Sequence, residues 1–175
     1  MEVLEQLVDE RSTTADVCAI LSRRLDSFQW AVSEMSVDDN GLEIARALIQ
    51  GTAAIAVSDG SFKGCQGTSA FIIEGSFKQG RLVGANAIPG EPSSQSPCRS
   101  ELGGVAGILE CPYCICAYHT ILPMTRLKWD RMSMKEAFRH WPLDPSRPDY
   151  DLLQHIRGII VASPLTFLSR WIESH

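Results

Sequence analysis

The chain of 175 residues contains no run of eighteen or more apolar residues and no basic, apolar leader at its N-terminus. These absences argue against a membrane-spanning helix and a secretory signal. Apolar residues make up 45% of the chain and charged residues 21%, which is typical of a globular domain rather than a disordered one. We therefore expect an intracellular protein of the cytoplasm or nucleus, with no membrane partner.

Basic residues are also scarce. The chain has 16 Lys and Arg against 21 Asp and Glu, for a formal net charge of −5. Affinity for phosphates depends on clustered basic side chains, so this balance argues against strong non-specific binding of nucleic acid. It does not exclude a nucleic-acid enzyme whose carboxylates hold metal ions that contact the phosphates.

The six cysteines indicate reduced thiols rather than disulfides, since we expect an intracellular chain. Four possible zinc ligands cluster in the sequence: Cys111, Cys114, Cys116 and His119. A structural zinc site normally brings two ligand pairs separated by a dozen or more residues, and this cluster does not. We expect buried thiols, with a zinc-binding module as the alternative.

Residues 1–50 predict a helical N-terminal extension. Apolar residues recur at helical spacing in 14–28, and a break rich in Asp, Asn and Gly precedes a helix over Leu42–Ile49. From residue 52 the apolar period becomes that of a strand. We therefore place a second domain over 51–175.

Residues 52–61 read TAAIAVSDGS and predict a strand that is apolar on both faces, which is typical of the middle of a sheet. Asp59 would lie at the end of this strand. An ionised carboxylate half-buried there needs a cation, a metal ion or several donors beside it. The alternative is that Asp59 opens a tight turn.

Residues 67–74 and 81–88 predict two further strands, which complete a three-stranded antiparallel meander with 52–61. A loop rich in Pro and Ser then leads to a predicted helix over 97–110, with Ser96 as its N-cap.

Glu101 lies in the first turn of that helix, beside its apolar face. Gly103 and Gly104 follow, although glycine costs about 1 kcal/mol in a helix, and this indicates that the helix lies very close to the sheet. Glu101 is therefore a second candidate site residue. A favourable interaction with the helix dipole is the alternative.

Residues 124–130 predict a short strand that ends in Asp130, and a helix begins directly after it. Ligands in sheets with such crossovers lie beyond the carboxyl ends of the strands, so Asp130 is a third candidate. Its alternative role is an N-cap.

A helix over 149–158 and a strand over 165–173 follow, and the chain stops so soon afterwards that we expect a truncated reading frame.

This order of elements resembles the ribonuclease H fold, and the resemblance covers about residues 52–175. The residues that match the family's motifs are Asp59 in VSDGS, Glu101 in RSEL and Asp130 in KWDRMS. The segments GTSAF, IPGEP and CRSELGG are more narrowly similar to ribonuclease H segments of retroelement reverse-transcriptase polyproteins.

The resemblance implies an α/β fold with a mixed five-stranded sheet, in which parallel strands extend the antiparallel meander and helices flank the sheet. It implies a nuclease that hydrolyses the RNA strand of an RNA·DNA hybrid with two Mg²⁺ or Mn²⁺ ions. Asp59 would bridge the ions, with Glu101 on one and Asp130 on the other. An upstream reverse-transcriptase domain of the same polyprotein would be a partner.

One departure from the family concerns the end of the chain. His175 matches a loop histidine of the family, which counts among the catalytic residues that the resemblance implies, but the fourth carboxylate and the terminal helix that follow it in the family are missing. The predicted site is therefore incomplete. The alternative function is a catalytically inactive ribonuclease H-like remnant that serves as a structural or nucleic-acid-binding domain.

Overall fold

The computed structural model describes residues 17–19, 29–50, 54–75, 80–119 and 142–163. Over these residues the chain is an α/β structure in which helices cover one face of a four-stranded antiparallel sheet of order β1-β4-β3-β2. The elements are β1 Glu34–Val37, α1 Leu42–Ile49, β2 Ile55–Lys63, β3 Gln66–Glu74, β4 Arg81–Ala87, α2 Pro97–Tyr118 and α3 Tyr150–Ala162. None of the helices described is long and apolar enough to cross a membrane.

The predicted antiparallel meander is confirmed as β2, β3 and β4. A two-residue turn joins β2 to β3, and both of its residues, Gly64 and Cys65, have left-handed φ angles of 58° and 61°. Two such residues form the type of turn whose twist matches that of the flanking strands. The hairpin therefore closes at Gly64 and not at Asp59-Gly60, so the alternative in which Asp59 opens a tight turn is wrong.

The N-terminal segment is not helical throughout. Helix α1 has the predicted bounds, but β1 pairs antiparallel with β4 and so belongs to the same sheet as the meander. Four residues that alternate between exposed and half-buried carry too weak a period to be recognised in the sequence. The prediction of helix across β1 is therefore wrong.

The position of β2 also differs from the prediction. Among the described residues it is an edge strand, and Ile55 and Val57 are 68% and 54% exposed. Because the strand continues to Lys63, Asp59 lies in its middle and is exposed rather than half-buried at its end. The expectation of a central strand with an acid at its end is wrong for the part of the chain that is described.

Helix α2 lies directly on the sheet. A Cβ atom added to Gly104 would lie 2.7 Å from the Cβ of Ser58, and one added to Gly107 would overlap the ring of Phe71. Phe71 is buried at the centre of the core. The close approach predicted from the glycines of this helix is therefore confirmed.

Helix α2 ends later than predicted. It continues through Pro112 to Tyr118, eight residues beyond the predicted end. Cys111, Cys114 and Ile115 are buried in the core, and this packing outweighs the cost of a proline inside a helix. The far side of α2 packs on α3 through one apolar cluster: Ala106, Leu109, Ile156 and Ile160.

A buried polar pair joins the sheet to the segment before β1. The Ser69 hydroxyl donates a hydrogen bond of 2.7 Å to Asn86 Oδ1, and Asn86 Nδ2 donates one of 3.0 Å to the Ala31 carbonyl. Asn86 thus satisfies a partner on β3 and one outside the sheet. Removal of the Asn86 amide would leave the Ser69 hydroxyl and the Ala31 carbonyl without these hydrogen bonds.

We predict that Asn86→Ala lowers the free energy of unfolding by about 1–3 kcal/mol, because the Ser69 hydroxyl and the Ala31 carbonyl each lose their partner. Urea denaturation measures the change. The control is Thr68→Ala, on the exposed face of β3, which should change stability by less than about 0.5 kcal/mol. Equal effects of the two substitutions would contradict the prediction.

Candidate active site

Asp59 lies on the face of the sheet that is opposite to α2. The neighbouring residues Ser58 and Gly60 contact α2, and side chains alternate along a strand, so Asp59 points to the open face. There it lines a shallow depression of about 380 Å³. The other lining residues are Glu34, Ser61, Thr68, Ser69, Ala70, Ala85, Asn86 and Ala87.

The strand register explains the shape of this depression. Asp59 pairs with Ala70, Ala70 with Ala85, and Ala85 with Glu34, so one row of side chains crosses all four strands. Two small alanines form its floor, and an acid stands at each end. The two acids are about 14 Å apart at their backbones, because neighbouring strands are about 4.8 Å apart.

Glu101 approaches β2 from the other face. Helix α2 begins as predicted, since the Ser96 hydroxyl accepts a hydrogen bond of 3.0 Å from the Arg99 amide. A Cβ atom on Gly60 would lie 2.5 Å from the Glu101 nitrogen and 2.9 Å from its Cα. Since adjacent Cα atoms are 3.8 Å apart, the Cα atoms of Asp59 and Glu101 lie within about 8 Å.

The structure therefore brings two of the predicted site residues together, with a constraint on how they meet. Asp59 points away from α2 and Glu101 belongs to it, so their carboxyl groups can share an ion only around the edge of β2 that no described strand covers. Both side chains are exposed, which leaves them free to turn toward that edge. An edge strand permits this geometry, whereas a strand paired on both sides at this level would block it.

The other two predicted residues, Asp130 and His175, lie outside the described residues. Within the described ranges, no group of three His, Cys, Asp or Glu side chains is arranged to hold a metal ion. Asp59 and Glu101 are oxygen donors of the kind that Mg²⁺ and Mn²⁺ prefer, and Mg²⁺ commonly takes only one or two protein carboxylates and keeps several waters. The two acids fit such an ion but do not by themselves fit a pair.

The cluster of cysteines does not form a metal site. Positions 111 and 116 lie about 140° apart around a helix, so their side chains diverge. Cys111 contacts Met35 with 3.7 Å between the sulfur atoms, and burial raises the pKa of Cys116 to about 11. His119 Nε2 lies 2.9 Å from the Asn40 carbonyl. The expectation of buried thiols is confirmed, and the zinc alternative is contradicted.

One residue near the site was missed in the sequence. Arg99 lies two residues before Glu101, is only 4% exposed, and forms a two-point ion pair with Asp151 in which both distances are 2.7 Å. The hydrogen bond from Arg99 lowers the pKa of Asp151. No local signal marked it, because its neighbours Ser100 and Glu101 are polar and its partner lies 52 residues further along the chain.

Comparisons of this chain with protein-family models, with curated proteins and with solved structures found no match. The function must therefore be argued from the residues and their geometry. The proximity of Asp59 to Glu101 is the geometric observation available for that argument.

We predict that Gly60→Ala destabilises the protein by about 1–3 kcal/mol, because its new Cβ would overlap the backbone of Glu101 and push α2 from the sheet. Thermal or urea denaturation measures the effect. The matched control is Gly158→Ala in α3, where a Cβ atom meets nothing within 4 Å and alanine favours the helix. A Gly60→Ala protein as stable as its parent would show that the contact is not tight.

Proposed function

We propose that this chain is a metal-dependent endonuclease with a ribonuclease H-like fold, which cleaves the RNA strand of RNA·DNA hybrids. One observation carries the proposal: the first turn of α2 places Glu101 against Gly60, next to Asp59, at the free edge of β2. The contact joins the first strand of an antiparallel meander to the helix that follows the meander, and the resemblance implies the same order of elements.

The proposal includes a fifth strand, formed by residues 124–130 and parallel to β2. Helix α2 runs antiparallel to β2, since Glu101 lies at Gly60 and Gly104 at Ser58. A strand that follows α2 and reverses its direction therefore runs parallel to β2. The exposed apolar side chains of Ile55 and Val57 support pairing at this edge.

Such a strand would also complete the site. If it ended at Asp130 beside Asp59, the rest of the β2 edge would stay unpaired, and Glu101 could reach around it. Asp59 would then bridge two ions, with Glu101 on one and Asp130 on the other. When bound, the two ions would activate a water and stabilise the leaving 3′ oxygen of the phosphodiester.

The open face suits the proposed substrate. The carboxylate of Asp59 repels phosphates, so approach of a nucleic acid to this part of the face depends on the cations that Asp59 would hold. The alanine floor allows a close approach, and the hydroxyls of Ser61 and Thr68 beside Asp59 can exchange hydrogen bonds with a 2′-hydroxyl. Recognition of that group would distinguish the RNA strand from the DNA strand.

We predict that the protein cleaves the RNA strand of a hybrid only with Mg²⁺ or Mn²⁺, and that Asp59→Asn or Glu101→Gln lowers the rate at least about 100-fold, because each removes a metal ligand. Labelled hybrid duplexes measure cleavage. The matched control is Glu34→Gln, which removes an acid from the far end of the same row and should retain the parent's rate.

Two outcomes of this assay count against the proposal. If Asp59→Asn leaves the cleavage rate unchanged, Asp59 is not a metal ligand and the proposed site is wrong. No cleavage by the parent at any Mg²⁺ concentration would favour the inactive remnant, and hybrid binding without cleavage would identify it as a nucleic-acid-binding domain.

We further predict slow hydrogen exchange at the β2 amides that point away from β3, because they would donate to the proposed parallel strand. Nuclear magnetic resonance measures exchange residue by residue. The internal reference is the set of β2 amides that bond to β3. Rapid exchange of every outward amide between Ile55 and Asp59 would contradict the fifth strand.

A further inference from the structure

We propose that the Arg99–Asp151 ion pair positions Glu101 for metal binding, an inference that rests on the proposed function. Arg99 is therefore a positioning residue, which acts through the first turn of α2 and not by contact with the substrate. Its burial, its contacts and its place two residues before Glu101 support this role.

Arg99 has a partner for each of its nitrogens. Nη1 and Nη2 donate to the two carboxylate oxygens of Asp151, Nη1 also donates to the Pro148 carbonyl at 3.1 Å, and Nε donates to the Pro89 carbonyl at 3.4 Å. These contacts tie the start of α2 to the loop after β4 and to the start of α3. A planar guanidinium whose three nitrogens all have partners restrains the start of a helix more firmly than a single flexible hydrogen bond does.

The position of the Glu101 backbone matters because it decides whether the exposed side chain can reach Asp59. That backbone is pressed against Gly60, and the Glu101 carboxyl group must pass the edge of β2 to meet Asp59. A small rotation of the first turn of α2 would move that carboxyl group by more than a metal–oxygen bond tolerates. Groups that orient metal ligands in this way typically change metal affinity by 10–100-fold.

The same two helices supply a control. His155 Nε2 lies 3.0 Å from Glu110 Oε1, so this second pair also joins α3 to α2. Glu110 lies nine residues beyond Glu101, about 14 Å along the helix. Loss of this pair weakens the packing of the helices without touching the turn that carries Glu101.

The experiment compares Asp151→Asn, Arg99→Lys and His155→Gln in two measurements. The first is the rise in melting temperature on titration with Mg²⁺, which requires no activity. The second is the Mg²⁺ concentration that gives half-maximal cleavage of the hybrid. Asp151→Asn is the milder disruption, because its side chain is largely exposed and Arg99 keeps its carbonyl partners.

We expect Asp151→Asn and Arg99→Lys each to raise the Mg²⁺ concentration needed in both measurements by about 10-fold or more. The double variant should lose little beyond either single one, since both break one pair. His155→Gln should lower the melting temperature without Mg²⁺ and leave the Mg²⁺ dependence unchanged.

The outcomes separate this inference from the proposed function. A parent that responds to Mg²⁺, with an Asp151→Asn variant that responds at the same concentration, would overturn the positioning role alone. An equal shift in His155→Gln would also overturn it, since general loosening would then explain the effect. A parent that neither cleaves nor is stabilised by Mg²⁺ would overturn the proposed function and this inference with it.

Discussion

The contact between α2 and the sheet is the constraint on which the rest of this structure depends. Glycine at positions 60, 104 and 107 removes the side chains that would hold the helix away, and Phe71 fills the space that remains. At this distance the direction of α2 is set by steric exclusion, which rises steeply with small displacements. Glu101 therefore reaches the level of Asp59 as a consequence of backbone packing.

In the candidate site, different residues provide the packing and the negative charge. The buried layer between α2 and the sheet consists of glycines, small side chains and the ring of Phe71, while Asp59 and Glu101 remain exposed at its edge. Two acids in water cost little until a cation draws them together. Under the proposed function, packing would hold this site open and a metal ion would complete it, so its ligands need not be buried.

Two polar contacts join α2 to α3 at different points along α2. The Arg99–Asp151 pair lies at the end near Glu101, and the His155–Glu110 pair lies near the middle of α2. The apolar cluster that α2 forms with α3 holds the two helices together. The ion pair thus adds a contact at the start of the helix, and burial of apolar surface supplies most of the attachment.

The sequence by itself determined the meander, the bounds of α1, the start of α2 and its closeness to the sheet, because turn residues, caps and glycines act locally. Tertiary structure alone decided that β1 joins the sheet, that Asp59 lies exposed in mid-strand, and that Arg99 pairs with Asp151. Each of these depends on partners far apart in the chain. The free energy of such contacts comes from packing and pairing in three dimensions, which no local pattern of residues records.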